Sequence, residues 1–495
     1  AAIKYKGLIC ITFLISSFEI SSKFYLDLFY LVVLSIRAIY SFLLYTVNFS
    51  NSDNIKNINS NCDGEDQTFV NSELNDVHRE LPKSSLDVKF IEWFVGLCEA
   101  ESNFLIRTRK NEKKEVSGFE FVFRITLHKD DGEVLEYIKN ILKCGRLNSE
   151  RDVKVFTISQ LNDIERVIIP IFEKFTLNTT KHLDYLDFKN AIFMFKNRKS
   201  SELVVHELYS NIIKIKEGMN SKRVVYDLPK DHIINITGNY LVGFLEGDGT
   251  FYLSKYDMSV HFSLVTTTIN KNFLLKIREF LLNLLDEHSY LLGSTTKLIN
   301  ILDKKSNNDH RAVSLLDITQ IDFVYNILIP YLESLEFRTK KYKDFLDFKT
   351  LAMLIFQGKH LTNNGKELMI KLSNTMNDNR LSTNPSPKIL DTNTQFELDL
   401  LIKSVPLISI DSEGRAMIIS ENKYIRSTYV IKVYFLNGTV SYFTSGTSCA
   451  KSLHVSNDTI TKRLNDGKPV KNKEGLVVAQ SIQRIKAYSS FNVNF

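Results

Sequence analysis

The sequence predicts an α+β chain: two tandem copies of one small domain, preceded by a hydrophobic segment and followed by a small helix-turn-helix-like module. Three observations carry this. An internal repeat joins residues 88–223 to residues 237–380. Each copy opens on an apolar helix that ends in an acid. Each then runs in the order two strands, helix, two strands, helix, read from hydrophobic periodicity. At ~100–200 residues per domain, 495 residues make three to four units. A composition of 44% hydrophobic and 24% charged residues is that of a globular chain.

Composition also sets exclusions. Cys10, Cys62, Cys98, Cys144 and Cys449 are too scattered for a disulfide scaffold, and no pair has the C-x-x-C spacing of a cysteine zinc site. A formal charge of +6 admits a nucleic-acid or other anionic partner and decides neither. Abundant Phe, Tyr, Asn, Ile and Lys against one Trp and eight Pro point to AT-rich codons and an organellar or AT-rich genome. The chain starts at Ala1, which reads as a processed product or a frame continuous with something upstream.

Residues 1–49 are hydrophobic. The runs Leu28–Ile36 and Ala38–Phe49, broken by Arg37, span 22 residues. At ~1.5 Å per residue that length crosses a bilayer. The segment reads as a membrane span or upstream-exon-derived piece, or else as a targeting segment or a helix buried on a partner. Arg37 near the middle argues against a span. Residues 50–86, rich in Asn, Ser, Asp and Glu, read as a polar linker.

The first repeat then reads 87–101 as a helix. Residues 104–109 and 119–127 are strands joined by the charged turn 110–118, and 133–142 is a helix. A second hairpin uses 146–147 and 153–158, and 162–175 and 182–194 are helical. The second copy repeats this. "IIPIFEKFTLNTTKHLDYLDFK" from Ile168 matches "LIPYLESLEFRTKKYKDFLDFK" from Leu328 at an offset of 160, and "KEGMNSKR" echoes "SNTMNDNR". Upstream, "GLCEAESNF" and "GFLEGDGTF" match at an offset of 147, which predicts an insertion in the second copy, placed at 304–311.

The two acidic helices are the informative pair. In each, small residues stand four apart: Gly96 and Ala100, then Gly243 and Gly247. Such residues share one face and let two backbones approach closely. Packing along that face brings Glu101 and Asp248 together. Two carboxylates forced together want a cation between them, and oxygen ligands select Mg²⁺. Metal held between acids suits phosphodiester hydrolysis.

These helices, "FVGLCEAES" and "LVGFLEGDG", resemble the two signature helices of the LAGLIDADG homing endonucleases. The resemblance covers roughly residues 88–380, and the "MN-x-x-R" endings resemble the fungal mitochondrial, intron-encoded branch. It implies a pseudo-two-fold pair of αββαββα domains (87–223 and 237–380), with sheets in the major groove and acids at the scissile phosphates. By the same resemblance Glu101 and Asp248 are catalytic acids that share two or more Mg²⁺ ions. Ala100 and Gly247 lend backbone carbonyls to the metal, and Lys181 and Lys341 are basic residues near the active-site water, with Lys340 competing for that register. Glu99 and Glu246 carry structural or interface roles. The implied activity is a staggered, site-specific double-strand cut at an intron insertion site, by a monomer in the mitochondrial matrix. Membrane contact is added if residues 1–49 are kept.

Departures matter. The water-ordering polar residue at the end of each second strand aligns with Leu127 and Thr267, and Leu127 has no polar side chain. Ser102 replaces the final motif glycine. These features lean toward an alternative: a group I intron maturase that binds its own intron RNA and cuts weakly or not at all.

Charge placement supports a DNA-facing sheet. Arg107, Arg109, Lys113 and Lys114 flank the first hairpin, Arg124 and Lys129 follow on the next strand, and Lys255 lies in the second copy. Strand residues two apart project together, as in a sheet laid in a major groove. After a linker at 381–395, residues 396–495 resemble the helix-turn-helix-like nuclease-associated modules appended to homing endonucleases, which implies a DNA-binding module, with a structural C-terminal domain as the alternative. It has a hairpin turn at Asn437–Gly438 and two helices, the second capped by Asn457 or Asp458. Lys462, Arg463 and Lys468 are its expected phosphate contacts.

Overall fold

The computed structural model describes residues 87–199, 205–285, 298–305, 312–427 and 429–486. The hydrophobic segment, the 50–86 linker, Cys10 and Cys62 lie outside the described residues. No helix among the described residues is long and apolar enough to cross a membrane.

The first domain contains α1 (Val88–Glu101), β1 (Ser102–Lys110), β2 (Val116–His128), α2 (Gly132–Leu142), β3 (Arg146–Glu150), β4 (Val153–Ile158), α3 (Ile169–Lys174), α4 (Lys181–Lys196) and α5 (Val205–Glu217). The second has α6 (Gly238–Asp248), β5 (Gly249–Ser254), β6 (Ser259–Thr267), α7 (Lys271–Leu282), β7 (Asn300–Lys304), β8 (Val313–Ile318), α8 (Ile329–Glu333), α9 (Lys341–Phe356) and α10 (Asn363–Ser373). Each domain holds one antiparallel four-stranded sheet, ordered β1-β2-β4-β3 and β5-β6-β8-β7. Phe119, Phe121, Phe123 and Ile125 alternate along β2 and face the helices in the shared core. The residues between them form a second face that lies outside that core. Pro170 and Pro330 lack the N–H an α-helix needs there, and a π-helical turn precedes α3 and α8 (Ile164–Ile168, Val324–Leu328).

The "MN-x-x-R" endings are clasps. Met219 and Met376 are buried, and Asn220 and Asn377 adopt positive φ of 56°. Their side-chain amides donate to the carbonyls of Phe104 (3.0 Å) and Phe251 (2.9 Å). Arg223 then pairs with Asp184 and Asp187 on α4, and Arg380 with Asp344 and Asp347 on α9.

Two sequence expectations need correction. The register offset between the copies is 147 at Glu101 and Asp248, 139 at Phe123 and Phe262, and 160 at Ile158 and Ile318. The second copy therefore has a shorter first hairpin. Its extra residues fall both between α7 and β7 and in the β7–β8 connection, not at 304–311 alone. Helix α5 also went unread, because its apolar stripe is confined to Leu208 and Ile212 as fully buried positions.

The C-terminal hundred residues divide in two rather than forming one module from 396. Helix α11 (Thr392–Lys403) and a sheet of β9 (Ile408–Ile410), β10 (Arg415–Ile418) and β11 (Lys423–Ser427) extend the second domain. Leu398 joins its core, Leu407 N donates to Gln357 O (2.9 Å), and Arg426 pairs with Asp322 (3.1 Å). A separate small core organises the rest. It comprises β12 (Tyr429–Tyr434), β13 (Val440–Phe443), α12 (Gly446–Ser452), α13 (Asn457–Asp466), β14 (Val470–Lys471), β15 (Val477–Ala479) and β16 (Ser481–Lys486). The hairpin turns at Asn437–Gly438, where Gly438 has φ +80°. Ser456, not Asn457 or Asp458, caps α13 by accepting from Thr459 N (3.1 Å).

Candidate active site

Helices α1 and α6 touch through bare backbone. A Cβ on Gly96 would stand 2.0 Å from Tyr240 O, and one on Gly243 2.0 Å from Trp93 O. One turn on, a Cβ on Gly247 would meet Ala100 Cβ at 2.4 Å and Glu101 Oε1 at 3.2 Å. Only hydrogen or a methyl group fits along this seam, so the helix ends converge. Glu101 and Asp248 are the last helical residues, and the chain passes straight into β1 and β5. Ser102 is accommodated because its Oγ donates to Cys98 O (2.6 Å); at Gly249 a Cβ would stand 2.0 Å from Leu245 Cδ1.

Glu99 and Glu246, one turn-fraction earlier, hold the seam. Glu99 accepts from Asn178 N (2.6 Å), Thr179 N (3.2 Å) and Thr179 Oγ1 (2.5 Å) of its own domain, and from Tyr240 OH (2.9 Å) of the other. Glu246 does the same with Arg338 N, Thr339 N and Thr339 Oγ1 (2.6, 2.6 and 2.9 Å), and with Trp93 Nε1 (2.6 Å) across the interface. A second crossed pair caps the helices that follow. Asp131 accepts from Lys340 N (2.7 Å) at the start of α9, and Asn270 from Thr180 N (3.0 Å) at the start of α4. Each domain thus completes the other's helix termini.

The acids are electrostatically loaded. Burial first, then Asp248, raises Glu101 to about 7, with Lys181 opposing and Asp131 adding to it. Burial raises Asp248 to about 6, opposed by Lys181 and reinforced by Glu99. Lys181 Nζ donates to the carbonyls of Cys98 (3.0 Å), Ala100 (3.4 Å) and Ser102 (2.7 Å) at the end of α1, and burial lowers its pKa. Lys341 lies 3.8 Å from Asp344, and its charge lowers Glu101. Lys340 turns elsewhere, to Asp130 at 2.7 Å.

The strand ends are unequal. Sheet register makes Thr266, not Thr267, the counterpart of Leu127, since Phe123 and Phe262 hold equivalent places opposite Ile158 and Ile318. Leu127 is 7% exposed and turned into the core. Thr266 and Thr267 line a pocket with Asp248, Lys181 and Tyr226. At the opposite place, Ser382 and Thr383 lie on the first domain. Ser382 N and Oγ donate to Asp130 (2.9 and 2.5 Å), and Thr383 Oγ1 is 2.9 Å from His128 Nε2.

Of the expected nucleic-acid contacts, Arg107, Arg109 and Arg124 share the uncovered face of the first sheet. Arg107 lies 4.0 Å from Glu120, and Arg124 donates to Glu150 (3.0 Å) and Thr126 (3.1 Å). Arg146, unread in the sequence because β3 looked two residues long, joins them through its register with Thr157. Lys113 and Lys114 are exposed in the β1–β2 turn. Lys129 pairs with Asp152 (3.1 Å), and Lys255 donates to Asn374 (2.7 Å). In the C-terminal module, Lys462 and Lys468 are exposed, while Arg463 pairs with Asp466 (2.6 Å).

A family model described as LAGLIDADG endonuclease matches residues 94–192 and 241–352. The chain is 27% identical over 449 residues to "Uncharacterized mitochondrial protein RF1" of Saccharomyces cerevisiae, covering 87% of this chain and 90% of that one. It is 24% identical to "Probable intron-encoded endonuclease 2" of Neurospora crassa, covering 61% and 68% of the two chains. A solved structure of the LAGLIDADG homing endonuclease I-GzeII in complex with its DNA target is similar to 58% of this chain and 98% of its own, with TM-score 0.48 and 26% identity.

Proposed function

We propose that the chain, whose two repeats match the LAGLIDADG endonuclease family model, is an intron-encoded homing endonuclease. It binds a long duplex DNA site as a monomer in mitochondria and makes a Mg²⁺-dependent staggered double-strand cut at an intron insertion site. The mitochondrial and intron-encoded names of its relatives support the setting. One observation carries the chemistry: Glu101 and Asp248 are held together at the root of two sheets, both raised by burial.

The donor set fits Mg²⁺. The protein offers the carboxylates of Glu101 and Asp248 and the carbonyls of Ala100 and Gly247. Mg²⁺ favours such a site, because it keeps several waters and takes phosphate oxygens as further ligands. When bound, the ion lowers the pKa of its water and neutralises phosphate charge. The residues do the rest. The glycine seam fixes the spacing of the acids. Lys181, tethered to three carbonyls, holds a positive charge beside both of them, and Lys341 supplies the second. The arginine-bearing sheet face and the exposed lysines of the turn and C-terminal module contact phosphates and bases.

A maturase that binds its group I intron RNA is the second reading. It is favoured by Leu127, which puts a buried aliphatic group where one half of the site would order water. The test is cleavage of the intronless host allele in Mg²⁺, with Ca²⁺ as the non-catalytic control. Staggered cutting lost in Glu101→Gln and Asp248→Asn supports the endonuclease. Tight binding without cutting moves the assignment to the maturase, and splicing of the intron RNA becomes the assay.

A further inference from the structure

The two uncovered sheet faces can be compared position by position, because their registers are equivalent. Across the first sheet runs the row Asn103–Arg124–Thr157–Arg146, and its counterpart in the second is Thr250–Ser263–Asp317–Asn300. Two arginines become a serine and an asparagine, and an acid enters. The next row toward the acid pair is Thr126–Val155–Asn148 in the first sheet and Val265–Leu315–Leu302 in the second. Three aliphatic side chains there stand side by side across three strands and outside the core. Val265 is 40% exposed and Leu302 51%.

The polar groups of the second face are turned inward on one another. Asp317 is 3.1 Å from His261 Nδ1 and accepts from Ser263 Oγ at 2.6 Å. His261 Nε2 is 3.0 Å from Ser259 Oγ, and its ring stacks on Tyr252 at 4.5 Å. Both histidine nitrogens are engaged inside the sheet. What this face offers outward is the aliphatic row and the ring of Tyr252, with Lys304 exposed in the row adjoining the aliphatic one. On the first face Arg124 donates to Glu150 and Thr126 and Arg146 to Ser159 Oγ (3.1 Å), while Arg109 is exposed and Arg107 meets its nearest carboxylate only at 4.0 Å, so guanidinium donors remain to reach outward.

Resting on the reading that both faces enter major grooves, we propose that the halves read different base classes. The arginine face takes a half-site bearing guanines, whose O6 and N7 accept a guanidinium fork. The Val265–Leu315–Leu302 row packs on thymine C5-methyl groups in the other half-site. The target is then compositionally lopsided: guanine-bearing on one side of the cut and thymine-rich on the other. Lys304 supplies phosphate attraction to a face that otherwise carries an acid.

The experiment is selection of bound duplexes from a randomised DNA pool by the full chain in Ca²⁺. It is followed by affinity measurement on the recovered site with thymine replaced by uracil, one half at a time. Uracil lacks only the methyl group. The expected result is an affinity loss of about tenfold from uracil in one half and none in the other. In the Val265→Ser/Leu302→Ser variant, both positions being exposed, that loss should fall below about twofold. Arg107→Ala/Arg146→Ala should relax guanine preference in the opposite half and leave the uracil effect intact. Specific binding that ignores uracil in both halves, or a uracil effect unchanged by the serine variant, overturns the base-class assignment alone. Failure to recover any preferred sequence overturns the DNA reading, and the assignment with it.

Discussion

The two domains agree inside and differ outside. Trp93 and Tyr240 occupy equivalent places and each donates to the other helix's glutamate. Asp131 and Asn270 do the same for the helices α9 and α4. These pairs change side-chain type and keep the bond. At the strand ends the opposite holds: Leu127 faces the core where Thr266 faces the acid pocket, and the arginine row of one sheet is a serine–aspartate row in the other. A shared seam fixes what must be duplicated. The sheet faces and strand ends are under no such rule, and they are where the copies part.

The largest effect should come from the seam. Gly96→Val or Gly243→Val drives a branched side chain into a carbonyl of the other helix. Each should cost more than about 4 kcal/mol and remove soluble folded protein, read by denaturant unfolding or yield. A stable valine variant at either site would mean that the helices do not meet as described. Next, Glu99→Ala and Glu246→Ala each strand several buried donors, at about 3–5 kcal/mol apiece. Unfolding free energies from urea titration that differ by more than about 1 kcal/mol between the two would break their equivalence.

The acid pair predicts a pH dependence. Glu101 at about 7 and Asp248 at about 6 hold protons in the folded state that the unfolded chain has already released. This contribution to stability is complete below the ordinary carboxylate range and is lost as pH rises through about 6 to 7. Without divalent cations, wild type should lose on the order of 3 kcal/mol relative to Glu101→Gln/Asp248→Asn between pH ~4.5 and ~7.5. Mg²⁺ should reverse the loss, and a flat difference in thermal melts would contradict the raised carboxyls.

Smaller effects test the asymmetry itself. With cleavage followed on each strand separately, Thr266→Val should slow one strand about tenfold, while Leu127→Gln should speed the other. Equal responses of both strands would remove the distinction drawn between the halves. Asp131→Ala and Asn270→Ala remove one crossed cap each, and about 1 kcal/mol of stability is the expected cost, measured by chemical denaturation.

Much of this was legible in the residues. The repeat and the small residues four apart located the helix seam, because close packing leaves a periodic mark. The acids followed from that seam. The crossed caps were not legible: Asp131 and Lys340 are 209 positions apart, and nothing in either segment names its partner. The place of Thr266 rather than Thr267 opposite Leu127 needed strand pairing, because three consecutive threonines, Thr266 to Thr268, carry no apolar alternation to number them by. The sheet faces needed register, since Val265, Leu315 and Leu302 come from three segments whose neighbourhood only strand pairing reveals.

The crossed bonds between Trp93, Glu99, Tyr240 and Glu246 also impose a timetable on synthesis. Residue 101 leaves the ribosome about 150 residues ahead of residue 248, which at ~5–20 residues per second is roughly 10–30 s. Through that interval the first domain carries an open glycine groove and a glutamate waiting for a tyrosine that does not yet exist. A neighbouring nascent chain can supply that tyrosine from its own second half. Crowded polysomes should therefore yield exchanged dimers, and slowing initiation, which spaces the ribosomes apart, should favour chains that close on themselves.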